Sequence, residues 1–330
     1  MKSGKLDSDL LEKIVFQHIT YKRPEVLVRP GIGEDCAVMD FGEYECVMST
    51  DPITGAIEEI GRLAVHISCN DIASNGVQPI GLLLAVMLPE GTTEEQIEKI
   101  MCQAGEAAAS LEVEIIGGHT EITAAVKQPI VVSTAIGRAM KGASQKAEDM
   151  QPGDFILLTK EAGLEGTGII CCDCADKLKG VLTPEEIAEG CELLNHVNVV
   201  KEGVAAGKVG TAGMHDVTEG GILGAVWEMC HISHLGAELW LEAIPVSELT
   251  KKVCGHFGIN WMRLISSGCM MIMVHPEQKE EVIKAIEEEG VSVACIGRVR
   301  EEAYGRQLLA GGKAEEITPP VSDELYKVVF

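Results

Sequence analysis

Gly31-Ile32-Gly33-Glu34-Asp35-Cys36-Ala37 is the stretch from which the fold of this chain is best approached. Glycines at alternate positions open backbone dihedrals closed to other residues and let amide groups come close to a ligand, while the acids behind them suit a hard divalent cation. Alone, a Gly-x-Gly-acid turn before a strand is equally an ordinary surface turn. Four other segments give it weight: Ser49-Thr50-Asp51-Pro52, Cys69-Asn70-Asp71, Gly117-Gly118-His119-Thr120 and His215-Asp216-Val217-Thr218-Glu219-Gly220-Gly221. Each places an acid or a glycine pair where the surrounding pattern begins or ends a strand or helix.

The chain has 330 residues, 46% hydrophobic and 24% charged, with turn residues throughout, which predicts a globular protein of two domains. Acids outnumber bases 51 to 27, for a formal net charge of -24. Such a surface repels nucleic acid and anionic membranes. It repels a free triphosphate as well, so a nucleotide would have to arrive with Mg²⁺ and meet carboxylates through the metal. The longest apolar run, Ile80 to Leu88 between Pro79 and Pro89, is too short to span a bilayer and predicts a buried strand. The first residues have no apolar core and no Asn-x-Ser/Thr acceptor occurs, so a cytoplasmic protein is expected. Twelve cysteines in that compartment are mainly buried thiols, and Cys171, Cys172 and Cys174 lack a second cysteine pair at metal-ligand spacing.

Along the chain, Leu10, Leu11, Ile14, Val15 and Ile19 stand at helical spacing, predicting a packing helix over residues 7 to 20 with Asp7 or Ser8 as N-cap. Short strands follow at Cys36 to Asp40 and Glu45 to Thr50, leaving Asp51 at a strand end. Residues 58 to 74 turn helical, and Asn70 and Asp71 interrupt a helix otherwise small and apolar. A carboxylate there is either offset by a partner or metal, or held by a local hydrogen bond. A strand from Glu112 to Ile116 is expected to run straight into Gly117-Gly118-His119-Thr120, which is either a phosphate seat of backbone amides or a tight turn. The apolar period lapses over residues 139 to 153, so the domains are placed at 1–150 and 151–330. Thr183-Pro184-Glu185-Glu186 is a helix start, and Gly220-Gly221 opens another helix. Asp216 joins the first-domain acids only if the domains face each other across a cleft. Ser266-Ser267-Gly268 before a later strand is either a ligand contact or a simple turn, and the turn is the better fit.

No Gly-x-x-x-x-Gly-Lys-Ser/Thr, strand-borne Gly-x-Gly-x-x-Gly, Gly-x-Ser-x-Gly or His-Glu-x-x-His occurs. What remains is a set of aspartates and glycine amides around Mg-phosphate, a chemistry in which the protein mainly positions groups and neutralises charge. Taken in order and with their intervals, the Gly31–Ala37, Ser49–Pro52, Asn70-Asp71-Ile72-Ala73 and Gly117–Thr120 segments resemble the aminoimidazole ribonucleotide synthetase superfamily, which includes thiamine-monophosphate kinases, selenophosphate synthetases and the HypE hydrogenase-maturation factors. Residues 214 to 221 look most like the HypE branch.

The resemblance implies a two-domain α+β fold of the PurM-like type: an N-terminal four-stranded sheet that pairs across a homodimer into a barrel, and a C-terminal α+β domain beside it. It implies ATP and Mg²⁺ as cofactors, with Asp35, Asp51 and Asp71 as metal ligands. Nucleotide contacts are expected at Gly31, Gly33, Asn70, Gly117, Gly118 and Thr120, and catalytic roles at Asp71, Asp216 and His119. The implied reaction is phosphorylation of an oxygen on a small-molecule or partner-borne acceptor. HypE proteins end in a tail whose terminal cysteine carries the reacting group, whereas this chain ends Lys327-Val328-Val329-Phe330 and its last cysteine is Cys295. An acceptor other than its own tail is therefore expected. A thiamine-monophosphate-type kinase, or a maturation partner that binds nucleotide without turnover, is the alternative.

Overall fold

A computed structural model describes residues 6, 10–32, 34–54, 56–145, 149–320 and 322–329. The expected N-caps Asp7 and Ser8, and the expected nucleotide contact Gly33, lie outside the described residues. The first described segment is not the expected packing helix. Leu11–Val15 forms a π-helical turn and Phe16–His18 a 3₁₀ turn, with Ile14, Val15 and Ile19 exposed. Leu10 and Leu11 turn to a cavity instead, so the rest of the apolar stripe finds no partner surface.

Strands β1 (Val26–Val28), β2 (Ala37–Asp40) and β3 (Tyr44–Ile53) lead into helix α1 (Ile60–Ser74). After it come β4 (Pro79–Leu88), α2 (Glu94–Ser110), β5 (Glu114–Ile122) and β6 (Ile130–Met140). These strands make one mixed sheet in the order β1-β2-β3-β6-β4-β5, so the N-terminal sheet has six strands where four were expected. The addition is the short β1 and β2, which pair antiparallel with each other and continue the sheet beyond β3. β6 is central, antiparallel to both β3 and β4, and Asp51 stands opposite Ser133. β3 runs two residues past Asp51, so this acid sits within a strand near its end.

The glycine pair at 117–118 lies inside β5, not in a turn after it. β5 runs parallel to β4 with a register shift at Leu82/Leu83, and a Cβ on Gly118 would stand 1.9 Å from the Leu84 carbonyl oxygen. Close approach of the two backbones, at a φ of 148°, is a structural reason for glycine there.

The second half contributes β7 (Phe155–Thr159), α3 (Leu164–Asp173), α4 (Pro184–Glu192), α5 (Val200–Val209), β8 (Gly213–Asp216), α6 (Gly221–Ile232), β9 (Leu235–Trp240), α7 (Glu248–Phe257), β10 (Met270–Val274), α8 (Lys279–Glu288), β11 (Val293–Glu301), β12 (Arg306–Ala310), β13 (Lys313–Glu316) and a last short helix, α9 (Tyr326–Val329). Its seven-stranded sheet runs β13-β12-β9-β11-β7-β10-β8. Both faces of β7 and β10 are covered, which is why their sequences are continuous apolar runs. Leu157 and Ile272 face one core, and Ile156, Leu158, Met271 and Met273 face another. The expected helix start holds, with Thr183 and Glu186 as a capping box and Pro184 at N1 of α4; a second capping box, Thr93 with Gln96, begins α2.

Helix α1 is the axle. All of its residues except Arg62 are buried, and its core joins the six-stranded sheet to Leu157, Val199, Val200, Met214 and Met270 of the second half. Where α1 ends against α5, Gly76 and Gly207 approach so closely that a Cβ on Gly207 would lie 2.5 Å from the Gly76 Cα. Among the described residues, no helix is long and apolar enough to cross a membrane.

Candidate active site

A cavity of about 940 Å³ opens where the two halves meet. The glycine-acid stretch supplies Gly31, Ile32, Glu34 and Asp35; β3 supplies Ser49, Thr50 and Asp51; and α1 supplies Ile67 and Asp71. From the other side come Glu165, His215, Asp216, Thr218, Glu219, Glu228 and Ser267. No lysine or arginine lines the cavity among the described residues.

Asp71 is 4% exposed and lies one turn from the C-terminus of a helix whose residues are buried except Arg62. Its Oδ2 accepts a 2.5 Å hydrogen bond from Ser49 Oγ. Burial first, and then the charges of Asp51, Asp216 and Asp35, push its carboxyl well above the usual carboxylate range. Four aspartates from β3, α1, β8 and the glycine-acid stretch therefore act on one small volume. The two halves do face each other across a cleft, the condition under which Asp216 joins the first-domain acids.

His215 ties this cluster together. Its Nδ1 lies 2.8 Å from Asp35 Oδ1 and its Nε2 3.2 Å from Glu228 Oε2. Burial opposes a charged ring, but the two carboxylates outweigh it and hold the imidazole well above its ordinary value. Asp35, His215 and Asp216 also offer ligand atoms within 4.8 Å of one another, a spacing suited to a metal ion. Both ring nitrogens already face carboxylates, however. His215 is thus better placed to neutralise and orient Asp35 than to ligate, as histidine–carboxylate pairs do behind metal ligands. A hard cation with oxygen ligands fits the donor set, and it would relieve the crowding that burial and repulsion impose on Asp71.

The remaining expected residues stand apart. Asn70 is fully buried but does not line the cavity: its Nδ2 donates to the Val197 carbonyl at 2.8 Å and its Oδ1 accepts from the Val199 amide at 2.9 Å. Gly117, Gly118, His119 and Thr120 lie on β5, the edge strand of the six-stranded sheet, exposed and outside the cavity lining. His119 faces Glu121, with Nε2 3.1 Å from Oε2. Cys171, Cys172 and Cys174 join no cluster of three potential metal ligands among the described residues.

Sequence reasoning singled out neither Glu228 nor Glu165, took His215 only as part of the 215–221 segment, and weighed Ser267 as a ligand contact but favoured a simple turn. A signal existed for two of them. Glu165 begins the otherwise apolar α3 and Glu228 interrupts the apolar α6, the same irregularity that marks Asp71 in α1.

Residues 33–139 match the AIR synthase related protein, N-terminal domain, and residues 151–307 match the AIR synthase related protein, C-terminal domain. This chain belongs to the AIR synthase related protein family, with its PurM-like two-domain α+β fold. Within that family it is similar to a putative hydrogenase expression/formation protein of Methanocaldococcus jannaschii, with 27% identity over 317 residues that cover 92% of this chain and 90% of the relative. The carbamoyl dehydratase HypE of Bradyrhizobium diazoefficiens is 30% identical over 261 residues, covering 77% and 73%. Among solved structures, a hydrogenase maturation protein HypE in complex with ATP superposes with a TM-score of 0.74 at 21% identity, over 99% of this chain and 97% of that one, a likeness of fold.

Proposed function

We propose that this chain is an ATP- and Mg²⁺-dependent enzyme of the HypE-like kind that phosphorylates an oxygen of a small-molecule or partner-borne acceptor. The observation that carries the reading is the meeting of Asp35, Asp51, Asp71 and Asp216 in one cavity with no lysine or arginine on its walls. A polyphosphate cannot enter such a place as a bare anion, so carboxylate-held divalent cations are the means of admitting it. Asp35, Asp51, Asp71 and Asp216 would hold Mg²⁺, which supplies neutralisation of phosphate charge when bound. His215, fixed by Glu228, keeps the Asp35 carboxylate aimed at the cavity. Ser49 does the same for Asp71. Gly31 offers backbone close to the phosphates.

Gly117, Gly118, His119 and Thr120 belong to a different surface in this reading. Ile80, Leu83, Ile116, Ile122 and Met140 are exposed on the same six-stranded sheet, an apolar surface of the kind that marks an interface. A homodimer formed through it places the β5 segment at the subunit boundary, where it can serve the nucleotide of either copy. A hydrogenase-maturation protein is the partner that the relatives' names suggest.

The test is ATP turnover against Mg²⁺ concentration with the unaltered protein and Asp71→Asn. Turnover that needs Mg²⁺ and falls about 10²–10³-fold in the variant is expected; unchanged turnover in Asp71→Asn excludes the metal role. Tight Mg-ATP binding with no turnover in any condition would instead favour a nucleotide-sensing maturation partner.

A further inference from the structure

Helices α3 and α4 pack against each other at glycines. A Cβ on Gly168 would lie 2.6 Å from Leu194 Cδ2 and 3.4 Å from the Gly190 carbonyl oxygen, and a Cβ on Gly190 would lie 2.3 Å from Cys171 Sγ. Helix backbones this near can bring flanking residues within the span that a disulfide bridges, about 4.4–6.8 Å between Cα atoms. The residues that flank this contact are Cys172 on α3 and Cys191 on α4.

The Cys172 thiol faces the Cys191 thiol as a hydrogen-bonding neighbour. Both residues are partly exposed, whereas Cys171 is 0% exposed. A reagent from solution therefore reaches the 172–191 pair and not the third sulfur. The surroundings select the chemistry. Burial first, then the contact with Cys191 and the charges of Cys191, Asp173 and Glu59, pushes the Cys172 thiol up. Structural metal sites of this type take four ligands, and Cys172 and Cys191 join no cluster of three potential ligands among the described residues. A disulfide needs only two sulfurs, and it brings no charge to a place where neighbouring acids disfavour a thiolate. Asp173 Oδ2 accepts from the Ile57 amide at 3.2 Å, so the pair lies where α3 meets the residues that lead into α1.

We propose that Cys172 and Cys191 are a reversible oxidation site, at which a small-molecule disulfide converts the two thiols to a disulfide that staples α3 to α4. One protein thiolate attacks the S–S bond of the reagent and expels a small thiolate. The other then attacks the mixed disulfide at the protein sulfur and expels the second. One S–S bond breaks and one forms, the protein gives up two electrons, and its two protons leave on the released thiols. A staple that closes residues 172 to 191 restrains the unfolded chain. It also fixes α3, whose other end carries Glu165 to the cavity. None of this depends on nucleotide chemistry in the cavity.

The experiment treats the reduced full chain with oxidised glutathione, traps free thiols by alkylation, and maps the bonds by proteolysis and mass spectrometry. A Cys172–Cys191 link that dithiothreitol reverses is expected, forming about tenfold faster per pH unit between about pH 7 and 9 as thiolate becomes available. The thermal transition of the oxidised protein is expected to rise by about 3–6 °C. Neither the link nor the rise should appear in Cys172→Ser or Cys191→Ser, and either variant serves alone should the other not fold. No link, a lasting glutathione adduct without one, a link through Cys171 or Cys102, an unchanged transition in the linked protein, or a stoichiometric metal ion held by the reduced pair would overturn the proposal. The assay reads neither ATP binding nor turnover, so its failure is distinct from a failure of the proposed function.

Discussion

At the scale of single residues, the site is built from groups that fit badly with folding alone. Asp71 lies in a buried helix, near three other carboxylates, with its pKa driven upward by burial and by those charges. A carboxyl whose folded value is raised favours folding only below its unfolded value, near 3.9, and that contribution is lost as pH rises toward the folded value. At neutral pH the ionised group is a net liability in the metal-free protein. Asp71→Asn, which keeps the Ser49 hydrogen bond, should therefore raise unfolding free energy by about 1–3 kcal/mol at pH 7 in the presence of EDTA. Urea unfolding measures it. A variant no more stable than the parent would show that Asp71 is held without strain.

At the scale of elements, α1 carries both the chemistry and the join between the halves. Asn70 and Asp71 are adjacent, yet one fastens the helix to residues 197–199 and the other lines the cavity. Asn70→Ala leaves a buried carbonyl and a buried amide unsatisfied and should cost about 2–4 kcal/mol of stability. Thermal unfolding with the calorimetric enthalpy gives this value, and a loss under about 0.5 kcal/mol would mean that water replaces the amide. This pair also shows how far the sequence could be followed. The interrupted apolar pattern marked positions 70 and 71 alike, because periodicity reports which residues are out of place in a helix and not what they face. Strands near 37–40, 44–53 and 79–88 and the capped helix start at Thr183 were legible from local pattern. The glycines at 117 and 118 were not: their need arises from close passage past β4, which only the sheet's assembly creates. The segment at 10–19 failed for a related reason, since helical spacing forms a stable helix only where a partner surface covers the stripe. The role of His215 was not legible because its pairing with Asp35 spans 180 residues of sequence.

At the scale of the whole molecule, joining two sheets around one buried helix sets both the acid response and the cleft. His66, on α1, is buried against the second half, with its Nδ1 3.3 Å from Asn198 Nδ2. Burial first, aided by Arg62 and Lys160, lowers its imidazole to about 4. The unfolded chain takes up a proton near pH 6.5 that the folded chain refuses, so this residue's contribution is intact above that value and is lost as pH falls toward 4, by about 3 kcal/mol in total. Unfolding free energies at pH 7 and pH 4.5 should differ less in His66→Gln than in the parent; an equal difference would place the acid sensitivity elsewhere. The central claim is that a strongly anionic protein accepts a polyphosphate only through cations held by Asp35, Asp51, Asp71 and Asp216. Calorimetric titration of ATP with Mg²⁺ and with EDTA tests it most directly. The account predicts binding with Mg²⁺ and a loss of about 100-fold or more with EDTA, whereas equal affinity in both would contradict it.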